Sequence, residues 1–202
     1  MTSNLPKDTF VPDGLSVSRP LLVTLHGGGR DGASQIDLWK PLAEREKVIL
    51  LAPTSTDGWW NSSRDFALVA AQVSLVTSQL PVDMKRIYFF GHSLGAVRAL
   101  DWGFANRHFI SAVALHSPTL ASGIFQLKAE PGTARLPLGV WVGDENCDPN
   151  WHCGSTLQFA YKEHPNFLID LKVISKHYHN DIYTRPGLTD EIWSFLKQFA
   201  RL

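Results

Sequence analysis

Of the 202 residues only two are cysteine, Cys147 and Cys153, six positions apart. A framework of several disulfides is thereby excluded, and stability has to come from a buried core. The pair itself leaves two readings open: a local disulfide closing a small loop, or two reduced thiols. With His152 beside them the cysteines offer three plausible metal ligands where a structural zinc takes four, so no metal is expected. Charge of one sign is equally scarce. Nineteen basic and nineteen acidic residues cancel and form no block, which leaves nothing to attract nucleic acid or an anionic membrane surface. No run approaches the roughly 18 consecutive apolar residues of a membrane span. The polar start, Met1 to Asp8, has neither the basic nor the apolar region of a secretory signal, so a cytoplasmic location is expected. Repeats, low-complexity tracts and linkers are absent too, and the length suits a single domain over 1–202.

What the chain does have is alternation. Apolar, β-branched runs of strand length recur at Leu21 to Leu25, Val48 to Ala52, Arg86 to Phe90, Ile110 to Leu115, Leu138 to Val142 and Phe167 to Ile174. Segments with apolar residues three and four apart, Leu38 to Lys47, Asp65 to Leu80, Leu94 to Asn106, Ser155 to Glu163 and Thr189 to Arg201, read as helices. Strand and helix in alternation imply right-handed βαβ units and a mainly parallel sheet covered on both faces. The connection Ala121 to Pro137 is the longest irregular one. In such a sheet, reactive groups gather beyond the carboxyl ends of the strands.

The strongest local signal is Gly91-His92-Ser93-Leu94-Gly95, set between the run ending at Phe90 and the helix from Leu94. A serine at the tip of a tight strand-to-helix turn is a nucleophile elbow, and only very small side chains fit two residues to either side. A serine hydroxyl is a poor nucleophile at neutral pH and needs a base. Of eight histidines, only His177 and His179 follow the last expected strand. A carboxylate must orient that base, and Gly143-Asp144-Glu145-Asn146-Cys147-Asp148 follows the strand before it, so Asp148, Asp144 and Glu145 compete. Leu25-His26-Gly27-Gly28-Gly29 brings bare backbone amides to the same end of the sheet, and the amides of Gly28 and Leu94 are the candidate oxyanion donors. His116, at a strand end, is a candidate to line the site. Seven tryptophans are many for this length. Trp59 and Trp60, closely following a strand, are candidates for a substrate wall that would favour an acyl chain or an aryl group.

On these residues, together with Gly58-Trp59-Trp60, Val82-Asp83-x-x-Arg86-Ile87-Tyr88, Gly143 to Pro149 and His177-Tyr178-His179, the chain resembles the α/β-hydrolase superfamily. Within it the similarity is to small lidless serine esterases such as polyhydroxyalkanoate depolymerase and feruloyl esterase-like domains. The resemblance runs from about Pro20 to Phe199. It implies a three-layer α/β-hydrolase fold, a Ser93, Asp148 and His179 triad, and hydrolysis of a small-molecule ester without a cofactor. Thioesterase, deacetylase or peptidase chemistry would use the same parts, and a non-catalytic binding module on this fold is the alternative from another class.

Overall fold

The computed structural model describes residues 4–118, 135–144 and 166–201. Their elements follow in the order β1 (Thr9–Phe10), β2 (Arg19–Leu25), α1 (Gly32–Glu46), β3 (Ile49–Leu51), α2 (Ser62–Gln79), β4 (Val82–His92), α3 (Leu94–Ala105), β5 (Ala112–His116), β6 (Leu136–Gly143), β7 (Phe167–Ile174) and α4 (Leu188–Leu196). The strands form one sheet in the order β1-β3-β2-β4-β5-β6-β7. Only β1 runs antiparallel, pairing Thr9 with Leu51 and Phe10 with Leu50. Among the described residues no helix is long and apolar enough to cross a membrane.

Strand alternation builds the two cores. On β4, Ile87 and Phe89 join the cluster under α2 and α3 with Leu21, Val23, Val69 and Trp102. Tyr88 and Phe90 point the other way, to Trp39 and Leu42 of α1 and Ile192 and Trp193 of α4. A parallel sheet buried on both faces reads as a continuous apolar run, and β2 and β4 have that form.

Six expected strands are present within a few residues of their expected bounds, and β7 has the expected ones. Two details differ. β1 is too short to leave a pattern. α1 begins at Gly32, six residues before the expected Leu38, because the Asp31 carboxylate accepts from the Ser34 amide at 2.9 Å and caps the helix there. The expected helix Ser155–Glu163, both cysteines, Glu145, Asp148 and most of 121–137 lie outside the described residues.

Candidate active site

Ser93 stands between β4 and α3 at φ 55° and ψ −121°, a backbone conformation that costs a non-glycine residue free energy and persists only where its surroundings enforce it. The surroundings are visible. A Cβ on Gly91 would overlap the Gly95 carbonyl and the Ala96 Cα, and a Cβ on Gly95 would overlap the carbonyls of Leu25 and His26. The elbow therefore presses directly against the end of β2, and glycine is the one residue that fits at either position. Serine is a favoured helix cap, yet the Ser93 side chain does not cap α3. Its Oγ lies 2.8 Å from Nε2 of His179.

His179 arrives from the loop after β7, three strands away in the sheet. Burial pushes its imidazole below the ordinary histidine value of 6.5. Of the two candidate bases the structure brings this one to the serine. His177 turns inward instead, fully buried, with Nε2 2.7 Å from Nε2 of His116. Asp144 accepts the Lys176 amide through Oδ1 at 2.7 Å, which ties the end of β6 to the start of the histidine loop. Asp148 lies outside the described residues.

The glycine turn closes over the elbow. The Arg30 amide donates to the Gly27 carbonyl at 3.2 Å and the Gly29 amide to the Gly58 carbonyl at 2.9 Å, with Gly29 at φ 72°. A Cβ on Gly27 would sit 3.3 Å from the Ser93 Cβ, so the turn lies against the serine. His26 holds the turn from below. Its Nδ1 is 2.8 Å from the Gly27 carbonyl, its Nε2 accepts the Ser55 amide at 3.0 Å, and its own carbonyl accepts the Trp60 indole N–H at 2.7 Å.

The two neighbouring tryptophans part company. Trp59 is 63% exposed and its ring lies over Gly28, where a Cβ would meet it at 2.7 Å. Trp60, expected on a substrate wall, is buried: it stacks on His26 at 4.6 Å and meets Trp102 edge-on at 5.6 Å. The indole bond to the His26 carbonyl commits it to supporting the turn. His116, expected to line the site, is likewise fully buried, its Nδ1 3.0 Å from Nδ1 of His92. It belongs to a row of imidazoles beneath the site, not to its wall. That row and Asn180, whose Oδ1 is 3.4 Å from Nε2 of His92, were not anticipated from sequence. The available sign was histidine recurring at the ends of β4 and β5 and just after β7.

No protein-family model matches the chain. A curated relative, a bifunctional acetylxylan esterase/xylanase of Neocallimastix patriciarum, is 28% identical over 94 residues, 44% of this chain and 14% of that enzyme's length. Among solved structures, an S-formylglutathione hydrolase from Agrobacterium tumefaciens superimposes with a TM-score of 0.73 at 14% identity, covering 94% of this chain and 88% of its own. A poly(3-hydroxybutyrate) depolymerase from Bordetella parapertussis gives 0.65 at 22% identity, covering 86% and 78%. The chain has the α/β-hydrolase fold. On this fold the elbow, the glycine turn after β2 and the histidine loop after β7 meet at one edge, where the parallel strands end. A separate hollow of about 420 Å³ between α2 and α3 is lined by Phe66, Val73, Met84 and Trp102 among others, and neither Ser93 nor His179 borders it.

Proposed function

We propose that the protein is a serine hydrolase that cleaves carboxylic esters through an acyl-enzyme. The observation that carries this is the 2.8 Å approach of His179 Nε2 to Ser93 Oγ, made by a serine held in a strained conformation and turned away from capping its own helix. Ser93 Oγ attacks the ester carbonyl as its proton passes to His179 Nε2. The tetrahedral intermediate collapses as that proton goes to the departing alkoxide, leaving Ser93 acylated, and a water activated by the same imidazole releases the acid. Asp148, five positions after Gly143 in the sequence, is the proposed orienting carboxylate.

The proposed oxyanion donors are the amides of Leu94 and Gly28. Leu94 opens α3, and a first-turn amide has no partner within its helix and lies at the positive end of the helix dipole. Gly28 sits in a turn whose next two amides are taken by Gly58 and Gly27. Preorganised donors of this kind supply several kcal/mol where charge develops. Trp59 is the proposed wall for the acyl or aryl part of the substrate. The relative and the structural neighbours act, by name, on acetylxylan, S-formylglutathione and poly(3-hydroxybutyrate), which supports an acyl carbonyl as the reacting group.

The test is labelling with a fluorophosphonate beside a panel of p-nitrophenyl esters. Ser93→Ala is expected to lose both labelling and hydrolysis while keeping its melting temperature. Undiminished labelling of that variant would refute the reading.

A further inference from the structure

Neighbouring strands lie about 4.8 Å apart, so the path from β7 over β6 and β5 to the end of β4 is on the order of 14 Å. A loop of that reach would present an imidazole loosely unless it were tied down, and this one is tied at each strand it crosses. Over β6, the Lys176 amide donates to Asp144 at 2.7 Å. Over β5, His177 Nε2 meets His116 Nε2 at 2.7 Å. Over β4, Asn180 lies 3.4 Å from His92 Nε2, and the ring of His179 packs 4.9 Å from that of His92. His92 and His116 are register partners on β4 and β5, joined Nδ1 to Nδ1 at 3.0 Å. The Ser93 amide donates to the His116 carbonyl at 2.9 Å. One residue thus anchors both the nucleophile's backbone and the base's loop.

The chemistry of the row is restrictive. Each link joins two ring nitrogens and requires one proton between them, so two charged neighbours would set N–H against N–H. His92, His116 and His177 are each at most 1% exposed. His92 faces His116, His179, Asn180, the Tyr183 edge and the Arg30 charge. His116 faces His92, His177 and His179, and among the described residues no carboxylate acts on it to compensate a charge. Among the described residues, His177 feels Asp181, whose Oδ2 is 3.9 Å from its Nδ1, and the charges of Arg185 and Asp144. Burial pushes all three rings below the ordinary histidine value, His92 down to about 3.

We propose that His177 is a positioning residue for the reaction: linked through His116 to His92, it locks the loop that presents His179 to Ser93. The inference rests on the reading of Ser93 and His179 as the reacting pair. It assigns no proton transfer to the row, whose function is to be rigid and uncharged beside the one imidazole that must accept a proton.

Two variants and one spectrum test it. His177→Phe keeps the ring volume and loses the link; His177→Gln restores a hydrogen-bonding atom near the position of Nε2. At matched melting temperature, His177→Phe is expected to lower kcat about 100-fold with KM within twofold, and His177→Gln to recover about tenfold of that loss. In the unaltered protein, ¹⁵N imidazole spectra from pH 5 to 8 are expected to show His92 and His116 neutral throughout, and His177 taking up a proton only below the ordinary histidine value of 6.5. This measurement needs no variant to fold. Wild-type kcat in His177→Phe, equal loss in the Gln variant, or titration of His177 near 6.5 would overturn the proposal. If Ser93→Ala abolishes hydrolysis and His177→Phe does not impair it, this inference alone fails; if Ser93→Ala stays active, the functional reading fails and takes the inference with it.

Discussion

Trp59 and Trp60 are adjacent in the chain and opposite in fate. Trp60 gives its indole N–H to a buried carbonyl and its faces to His26 and Trp102, whereas Trp59 rests on Gly28 with most of its ring in solvent. An exposed aromatic outside the core contributes little to stability, and one poised over the proposed oxyanion turn is placed to meet a substrate. Trp59→Ala is therefore expected to lower kcat/KM about tenfold on aryl or long-chain esters, to change acetate esters less than twofold, and to leave the melting temperature within about 1 °C; equal losses across the ester series would remove Trp59 from the site. At this scale the sequence was legible where the physical demand is local. Gly91 follows from the sterics of the turn itself, where a Cβ would meet Gly95 and Ala96, and Gly95 is legible from the same motif although the atoms that demand it belong to the end of β2. Whether Trp59 or Trp60 faces solvent, and whether His177 or His179 faces Ser93, depends on how the loop is rotated against the sheet. For the histidines that rotation follows from the Lys176 turn at φ 51° and the capture of His177 by His116, and no neighbouring residue encodes either.

The element that holds the glycine turn after β2 in place is the segment between β3 and α2. It reaches the turn through Ser55, Gly58 and Trp60, and it is fastened in turn to α2 by Asp65. That carboxylate, fully buried, accepts from the Thr56 hydroxyl at 2.7 Å and the Asn61 amide at 2.6 Å, with the Arg64 guanidinium 3.7 Å away. Bonds to a charged acceptor are worth about 1.5 to 3 kcal/mol each, and their donors would be left unpaired. Asp65→Ala is expected to destabilise the protein by about 3 kcal/mol in urea denaturation and, at a temperature where it stays folded, to lower kcat more than KM, because the turn it steadies carries the proposed oxyanion donor Gly28. A variant that loses stability but keeps wild-type kcat would separate the segment from the site. Element boundaries in the sequence were sharpest where periodicity is strong, as in β7, and weakest where a cap decides, as at Asp31. The role of Asp65 is long-range within the loop, and a single acidic residue at a helix start gives no sign of it.

Taken whole, the molecule has no net charge to expel it from the folded state, so its response to acid rests on individual buried groups. The carboxylates shifted downward, Asp57, Asp83 and Glu44, are held there by Arg64, Arg86 and Lys47 and lose that support only as pH falls through the carboxylate range. The buried imidazoles act earlier. A histidine whose folded value lies below its unfolded 6.5 binds fewer protons in the native state. Stability therefore rises with pH between the two values and is lost as pH drops below 6.5. With His92 at about 3, its imidazole costs about 1.4 kcal/mol per pH unit in that window, or roughly 2 kcal/mol by pH 5, and His116, which burial holds well below the ordinary value, acts in the same direction. The urea midpoint is thus expected to fall by about 1 to 2 M between pH 7.5 and pH 5. Activity is expected to fall over an overlapping range because His179, the proposed base, must be neutral to act, but that loss is expected to reverse at once on return to pH 7.5. A midpoint flat from pH 7.5 to 5 would mean that the row beneath Ser93 accommodates a proton, and the uncharged anchor inferred for the base would lose its physical basis.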